Sequence, residues 1–371
     1  MSKIRVLHVV STLAISSGVM SFIMNYYRNI DREKVQFDFI YFVNNGNTYE
    51  NEIKKMGGKS YFLKKPSIRS YNSYRRFFKE NGHVYHIIHL HEVYLNGFIH
   101  PLAKKYGIKH RITHSHNTMY SENRIKAIRN KLLCIPLKKT SNIFFACSED
   151  AGKFLYGQKY VNSGNVKIFN NAIDTEKFRY NSKKRNEIRG ELCLKDKFVI
   201  GHVGRFAEQK NHDYLFKVFI AIKEKKADCV LMLLGDGPLF EKYKVKASEL
   251  GIDNCVYFLG SKSNIHDYYN AMDVFVLPSI FEGLGIVLIE AQCNGLTCYV
   301  SNTVPNQAKI SDDYYCMSLD DKAEKWADVI IEGIPYNKRL YHMETDTKAN
   351  FDILSQGKSL EEFYLNLRSK K

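Results

Sequence analysis

The stretch FEGLGIVLIEA at residues 281–291 decides how this chain is interpreted. Just before it, Val274–Leu277 is apolar throughout and is followed by proline, which predicts a short buried strand. Within and beyond it, Ile286–Cys293 contains neither glycine nor proline and predicts a helix that Asn294 and Gly295 end. The stretch therefore joins the carboxyl end of a strand to the start of a helix.

Two glycines and two glutamates in this stretch indicate a ligand site. Gly283 and Gly285 fall where the helix begins, and the unpaired backbone N–H groups there favour an anionic or hydroxyl-rich ligand. Glu282 belongs to the loop, and Glu290 lies on the helix, roughly 7–9 Å further along at 1.5 Å per residue. Two carboxylates at this separation can hold two ends of one elongated polar molecule. The alternative is that Glu282 caps the helix and Glu290 is a solvated helix residue.

A second candidate loop, GRFAEQKN at residues 204–211, follows the predicted strand Phe198–Val203. Its glycine allows close approach of the backbone, and Arg205 and Lys210 are spaced to flank a diphosphate. The alternative is a pair of solvated surface cations. The position at the end of a strand favours the ligand site, because doubly wound sheets bind ligands there.

Together these motifs resemble those of the retaining GT-B glycosyltransferases of family 4, of the bacterial surface-polysaccharide type. The resemblance rests on E-G-L-G-x4-E with Pro278-Ser279 before it, and on Gly204-Arg205 followed by Lys210. It implies that Glu290 holds the ribose of a nucleotide sugar and that Glu282 contacts the transferred sugar as a catalytic residue. It also implies a set of residues against the sugar and the diphosphate: Arg205, Lys210, Gly283, Leu284 and Gly285.

The first half of the chain contains two H-x-H pairs, His89/His91 and His114/His116. Residues two apart on a strand share a face, so a metal site is one interpretation, but the only acidic residue nearby is Glu92. The resemblance instead matches His116 to the cleft histidine near the reacting sugar, with His114 as the competing choice. We therefore expect no bound metal and no cofactor, with the nucleotide sugar as a substrate.

The first strand and its loop predict a doubly wound opening. Ile4–Val10 is followed by a loop of small residues, and Gly18 is the glycine that the resemblance would place at the donor. The loop lacks G-x-G-x-x-G, which argues against a dinucleotide cofactor. Strand and helix patterns then alternate, including one long helix predicted near 122–140.

This alternation predicts an α/β fold of the GT-B class, with two doubly wound, Rossmann-like parallel-sheet domains facing a central cleft. We place an acceptor-binding domain at residues 1–170 and a nucleotide-sugar-binding domain at 171–350. A last helical segment at 351–371, with its helix near 358–368, is expected to cross back to the first domain, as the resemblance implies.

Charge is distributed unevenly between the two halves. Residues 1–170 contain 27 of the 55 Lys and Arg residues but only 10 of the 39 Asp and Glu residues, so the whole excess of +16 lies there. A basic half joined to a neutral half indicates a face that meets a polyanion or an anionic membrane. One cluster of cations accompanies apolar residues at helical spacing, which predicts either a packed helix with a solvated back or a surface lying on lipid: Arg124, Ile125, Lys126, Ile128, Arg129, Lys131, Leu132, Ile135, Lys138 and Lys139.

No apolar run is long enough to span a bilayer, and the eight scattered cysteines predict neither a disulfide framework nor a zinc site. We therefore expect a cytoplasmic protein that is peripheral at the inner face of the cell membrane.

The predicted function is transfer of a sugar, with retention, from a nucleotide-sugar donor that is UDP-linked to a hydroxyl of a glycan or polyprenyl-diphosphate-linked acceptor, as in polysaccharide, capsule or lipopolysaccharide synthesis. One alternative is a nucleotide-sugar 2-epimerase on the same fold. The other is a basic nucleic-acid-binding protein, against which no RNP, KH or zinc-finger pattern is found.

Overall fold

The computed structural model describes residues 3–44, 46–121, 123–333, 339 and 350–369. The chain forms two compact units, one comprising Met1–Ile173 and Ala349–Lys371 and the other Asp174–Lys348. Among the helices of the described ranges, none combines the length and the apolar character needed to cross a membrane.

The first unit is built on a parallel sheet of seven strands within the described residues. The strands are β1 Ile4–Val9, β2 Val35–Tyr41, β3 Ser60–Phe62, β4 Ile87–Leu90, β5 His110–Ser115, β6 Ile143–Ala146 and β7 Val166–Ile168. The helices are α1 Gly18–Arg28, α2 Glu50–Lys55, α3 Tyr71–Asn81, α4 Asn96–Lys105, α5 Arg124–Leu133, α6 Leu137–Thr140, α7 Glu149–Tyr156 and α8 Gln158–Asn162, and the last helix of the chain, Ile353–Ser369, belongs to this unit.

Strand order in this sheet is β3-β2-β1-β4-β5-β6-β7, so the order reverses between β1 and β4. In doubly wound sheets the ligand crevice lies beyond the carboxyl ends of the strands at such a reversal. Both faces of the sheet are covered, because strands such as β2 are buried along their whole length. The last helix packs on one face, where Leu360 and Tyr364 join the aromatic core around Phe37.

The second unit contains a six-stranded parallel sheet in the described residues, with the order β10-β9-β8-β11-β12-β13. Its strands are β8 Phe198–Val203, β9 Cys229–Leu234, β10 Val256–Phe258, β11 Val274–Leu277, β12 Thr297–Ser301 and β13 Tyr314–Met317. Its helices are α9 Ser182–Glu191, α10 His212–Lys225, α11 Phe240–Glu249, α12 Ile265–Ala271, α13 Ile286–Cys293 and α14 Ala323–Glu332, so the final helix Ile353–Ser369 is α15. The reversal of strand order here lies between β8 and β11.

The predicted α/β class with two doubly wound parallel sheets of the GT-B type is confirmed. The strands β8, β9 and β11 begin and end where the sequence predicts them. Strand β13 and helix α9 were not predicted. Helix α9 has no strong apolar stripe, and it is held instead by Arg185 and Arg189, which bind the carboxylate of Asp273.

The prediction of one long helix near 122–140 is wrong. The structure has α5 and α6, separated by Cys134, Ile135 and Pro136, and Glu122 lies outside the described residues. Proline cannot donate the backbone hydrogen bond that a continuing helix needs, and it disfavours helical geometry in the residue before it.

The interpretation of α5 as a packed helix with a solvated back is also wrong. The stripe that was expected to be buried is exposed, with Ile125 at 80%, Ile128 at 64% and Leu132 at 60% of their full exposure. Exposed large apolar side chains grouped in this way mark a contact surface rather than an ordinary solvated helix. We call α5 with its neighbour Ile135, which is 75% exposed, the α5 surface.

Candidate active site

In the second unit, the loops after β8 and β11 lie side by side because the two strands are neighbours in the sheet. The backbone N–H of Ile280 donates to the carbonyl of Gln209 at 2.8 Å. The side-chain amide of Gln209 donates to the carbonyl of Phe281 at 2.9 Å. The two sequence motifs are therefore one structural site at the reversal of strand order, where a parallel sheet binds ligands.

Lys210 and Glu282 form the centre of this site. The Lys210 ammonium lies 2.5 Å from Oε1 of Glu282, and the two side chains are only 12% and 6% exposed. The hydroxyl of Ser279 donates to the same carboxylate oxygen at 2.6 Å, and Gln209 approaches Oε2 at 3.5 Å. Such a buried, hydrogen-bonded ion pair fixes both side chains in one geometry.

The loop that carries Arg205 is supported by the glycine turn after β9. A Cβ at Gly235 would overlap the carbonyl oxygen of Gly204, so only glycine allows this approach. The backbone N–H of Phe206 donates to the carbonyl of Asp236 in the same turn, and the N–H of Leu239 donates to the carbonyl of Phe206, both at 3.0 Å. Arg205 itself is exposed, and its side chain has no hydrogen bond or ion pair to the described residues. It is available to an anionic ligand.

The glycine-rich turn leads directly into α13. Gly285 precedes the helix with φ of 74°, a left-handed conformation that favours glycine, and no side chain caps the first turn. Gly283 is exposed and has open space around it, whereas the side chain of Leu284 is buried. The turn therefore presents backbone rather than side chains, and the start of α13 offers uncapped N–H groups to an anion.

Glu290 lies on α13 and is half-buried. The hydroxyl of Tyr269, on α12, donates to Oε2 of Glu290 at 2.7 Å. Burial raises the pKa of Glu290 to about 7, and the hydrogen bond from Tyr269 partly opposes this rise. The half-buried carboxylate has lost part of the water that would normally solvate it, and hydroxyl groups of a ligand can take the place of that water.

The raised pKa of Glu290 implies that the free energy of unfolding depends on pH. Because the folded pKa lies above the usual value of 4.5, the folded state retains the proton, and stability is lost as pH rises from about 4.5 through 7. We expect Glu290→Gln to be more stable than the natural protein at pH 8, by up to about 3 kcal/mol, and by less than about 1 kcal/mol at pH 5. Urea unfolding at the two pH values measures the difference.

Glu249→Gln, on the exposed end of α11, is the matched control and should show no such dependence on pH. An equal effect of Glu290→Gln at both pH values would contradict the raised pKa.

In the first unit, the two candidate histidines occupy different environments. His116 follows β5 and lines a cavity of about 130 Å³, together with His91, Glu92 and Asn117. His114 is fully buried and does not line that cavity. Desolvation lowers the pKa of His116 to about 3, so its ring is neutral near pH 7 and acts through hydrogen bonds rather than charge.

Gly18 is the first residue of α1, and the side chain of Ser17 caps this helix by accepting from Met20 N–H at 3.3 Å. An added Cβ at Gly18 would meet no atom within 4 Å. The structure therefore gives no steric reason for glycine at this position.

Sequence reasoning did not assign three site residues. Ser279 belongs to the motif, but the sequence does not show its role, which is to donate a hydrogen bond to Glu282. Gln209 lies between the two predicted cations and joins the loops. Tyr269 carries no signal in the sequence, because only the packing of α12 against α13 brings it to Glu290.

Comparison with known proteins agrees with this arrangement. Residues 184–343 match the model of the family described as glycosyl transferases group 1. The chain is 34% identical to the putative glycosyltransferase EpsF of Bacillus subtilis, over all of this chain and 98% of that protein. It is 30% identical, over 53% of its length and 52% of the relative, to an Escherichia coli enzyme named UDP-Gal:alpha-D-GlcNAc-diphosphoundecaprenol alpha-1,3-galactosyltransferase. The crystal structure of Anabaena HepE in complex with UDP shares the fold, with a TM-score of 0.78 and 15% identity over 98% of this chain and all of that one.

The two parallel sheets have the GT-B fold, and the relatives are glycosyltransferases. The chain belongs to the group 1 glycosyltransferase family.

Proposed function

We propose that this glycosyltransferase moves a sugar from a UDP-linked donor to a hydroxyl of a glycan or polyprenyl-diphosphate-linked acceptor, with retention, during synthesis of a bacterial surface polysaccharide. The observation that carries the donor half of this proposal is the buried Lys210–Glu282 pair beside the uncapped start of α13. The pair and the helix start place a cation, a carboxylate and free N–H groups on adjoining loops.

The second unit would bind the donor in an extended arrangement. Arg205 and Lys210 would face the diphosphate, with the N–H groups at the start of α13 adding further positive potential. Glu290 would accept hydrogen bonds from the ribose hydroxyls, and Glu282 would contact the transferred sugar. Gly283, Leu284 and Gly285 would line the sugar and phosphates through their backbone.

Catalysis would come from stabilising the leaving group. Negative charge develops on the nucleoside diphosphate as the bond to the sugar breaks, and preorganised cations lower the energy of that state. Lys210 is already fixed in place by Glu282, so little reorganisation is needed when charge develops. We propose that transfer needs no metal ion.

A retaining reaction through a covalent intermediate needs a carboxylate nucleophile. Glu282 is a poor candidate because Lys210 and Ser279 both bind the same oxygen. This supports a mechanism without a covalent intermediate, in which the acceptor hydroxyl attacks the donor sugar on the same face from which the nucleoside diphosphate leaves.

His116 is proposed as the histidine near the reacting sugar. It lines the cavity beyond β5, which His114 does not. Its neutral ring would orient a sugar hydroxyl.

The acceptor would be bound by the first unit at the inner face of the cell membrane. The E. coli relative is named for a diphosphoundecaprenol acceptor, which is a lipid. The α5 surface combines exposed apolar residues with cations and fits an anionic membrane. We therefore propose a cytoplasmic, peripheral enzyme. The relatives' names give no support to a 2-epimerase or a nucleic-acid-binding protein.

The test of this function is a panel of nucleotide sugars with lipid-linked acceptors, in which release of nucleoside diphosphate and modification of the acceptor are both measured. We expect release with a UDP-sugar to depend on the acceptor. Release of a free epimerised sugar without any acceptor would replace the transferase by the epimerase.

The proposed role of Glu290 predicts a loss of nucleotide affinity. At pH 8, where Glu290 is ionised, a charged acceptor for two ribose hydroxyls contributes roughly 1.5–3 kcal/mol, so Glu290→Ala is expected to weaken UDP binding by about 10- to 150-fold. Calorimetry with UDP measures this, with Glu249→Ala as the control. Unchanged affinity in a folded Glu290→Ala protein would remove Glu290 from the site.

A further inference from the structure

Five histidines gather at the carboxyl edge of the first sheet. His8 lies on β1, His89 on β4 and His114 on β5, while His91 and His116 directly follow β4 and β5. The three strands are neighbours, and alternate residues point to the same face. Ring centroids of adjacent members lie between 4.1 Å and 5.5 Å apart. Four of the five form the two H-x-H pairs seen in the sequence, and the structure adds His8 to them.

Hydrogen bonds link these rings into two short chains. In one, His91 joins His8 through Nε2 at 2.9 Å and His116 through Nδ1 at 2.7 Å. In the other, His89 joins Tyr364 at 2.7 Å and Nδ1 of His114 at 3.1 Å. Nε2 of His114 is left buried without a partner among the described residues. A buried polar atom without a partner costs about 1–3 kcal/mol and calls for an explanation such as an absent ion.

Three of these histidines, two of which line the cavity, have the spacing of a metal site. One ring nitrogen from each of His91, His114 and His116 lies within 4.8 Å of the other two. Nitrogens around one Zn²⁺ lie about 3.3 Å apart when the bonds are about 2.0 Å. Nδ1 of His91 and Nε2 of His116, 2.7 Å apart, must therefore separate by roughly 0.6 Å, and the His114 nitrogen must approach them by up to roughly 1.5 Å. His116 has freedom to turn because it lines the cavity, whose volume of about 130 Å³ leaves room for an ion and water. A second set, His8, His89 and His91, has similar spacing, but it has one member that lines the cavity, His91, whereas the first set has two, His91 and His116.

We propose that His91, His114 and His116 bind a divalent transition metal of the Zn²⁺ class, through Nδ1 of His91 and the Nε2 atoms of His114 and His116. Binding would replace one hydrogen bond, between His91 and His116, and would give the orphaned Nε2 of His114 a partner. Nε2 of His91 would still donate to His8, and Nδ1 of His114 to His89. Such outer hydrogen bonds orient metal-binding histidines and are typical of built sites.

The chemistry of the surroundings favours a cation. Glu92 is the acidic residue among those that line the same cavity. Imidazole nitrogen suits Zn²⁺, Ni²⁺ and Cu²⁺ better than Mg²⁺ or Ca²⁺, which prefer oxygen.

Metal binding would inhibit transfer, and this second consequence rests on the proposed role of His116 at the sugar. An ion on Nε2 fixes the ring of His116 and places a positive charge in the cavity. The ion is therefore not a cofactor, and removing it is not expected to lower activity.

The test is titration of the chelator-treated full chain with Zn²⁺, followed by calorimetry and by competition with a metal-binding dye. We expect one site with a dissociation constant in the micromolar range or below, weakened by more than about tenfold in His114→Gln and in His116→Gln. The matched control is His100→Gln, because His100 is a buried histidine of the same unit that bonds to Ser141 and lies outside the five-histidine cluster.

Thiols are the competing ligands, since Cys193 and Cys316 are exposed. Substituting Co²⁺ for Zn²⁺ distinguishes histidine ligands from thiolate ligands, because only thiolates give a sulfur-to-cobalt charge-transfer band. Unchanged affinity in His116→Gln, or a thiolate band from the tight site, would overturn the proposal. His116 is partly exposed, so its variant decides the matter if His114→Gln does not fold. Zinc binding at the histidines without inhibition would support the metal site and count against His116 at the reacting sugar.

Discussion

Lys210→Ala is expected to lower the turnover of sugar transfer by about 10²–10³-fold, the usual effect of removing one preorganised group that stabilises transition-state charge. Lys210 is the buried cation of the proposed donor loops, and its ammonium is fixed 2.5 Å from Glu282. Its effect should be larger than that of Arg205→Ala, because Arg205 is exposed and its charge is better screened by solvent. Steady-state kinetics with the UDP-sugar identified by the donor panel measures both.

The control must separate lost catalysis from lost stability. Removing Lys210 leaves the Glu282 carboxylate buried without its cation, which costs about 3 kcal/mol or more in a buried pair. Lys225→Ala removes a lysine from an exposed ion pair with Asp328 in the same unit and should leave turnover unchanged. Ethylammonium added to Lys210→Ala should restore part of the turnover by returning the cation. A folded Lys210→Ala protein with natural turnover would contradict the proposed role.

Chelation gives the same mechanism a second test. If Arg205 and Lys210 neutralise the leaving diphosphate, turnover should survive EDTA, and it should rise if a trace metal occupied the histidine site. Loss of turnover in EDTA that Mg²⁺ or Mn²⁺ restores would assign the neutralisation to a metal instead.

The predictable parts of the fold are those that a local pattern encodes. Continuous apolar runs bounded by polar residues predicted β8, β9 and β11 correctly, because a strand buried on both faces is apolar along its whole length. The family resemblance predicts that the two motifs serve one nucleotide sugar, and the structure brings their loops into contact through Gln209 and Phe281, while their role at a donor stays a prediction. Helix α13 followed from the glycine turn and the Asn294-Gly295 end.

The parts that could not be predicted depend on what lies opposite a residue in space. The stripe on α5 has helical spacing, but spacing does not say whether a partner covers it, and among the described residues none does. Tyr269 reaches Glu290 only through the packing of α12 on α13. The two H-x-H pairs were visible in the sequence, yet their meeting with His8 depends on β1 lying next to β4. Strand order is set by topology, which local patterns do not contain.

The α5 surface predicts binding to anionic vesicles with two separable contributions. Each cation near an anionic surface contributes about 1 kcal/mol, so changing the four on α5 to glutamine should weaken binding by about 10²–10³-fold; these are Arg124, Lys126, Arg129 and Lys131. Each exposed isoleucine or leucine that enters the lipid interface contributes up to about 1.5–3 kcal/mol. Changing Ile125, Ile128 and Leu132 to serine should therefore weaken binding at least as much.

Salt distinguishes these contributions. Raising the ionic strength from physiological to about 1 M shortens the Debye length from about 8 Å to 3 Å, so the cation contribution should fade while the apolar one remains. The serine variant should bind weakly yet stay sensitive to salt, whereas the glutamine variant should bind weakly and respond little to salt.

The matched control changes four exposed cations on α3 and α4 to glutamine, which gives the same net charge: Arg76, Lys79, Lys104 and Lys105. Sedimentation with neutral and anionic vesicles measures all three proteins. Equal losses in the control and the α5 variant would assign binding to net charge alone, and no binding to either kind of vesicle would mean that the basic unit meets a soluble anionic acceptor.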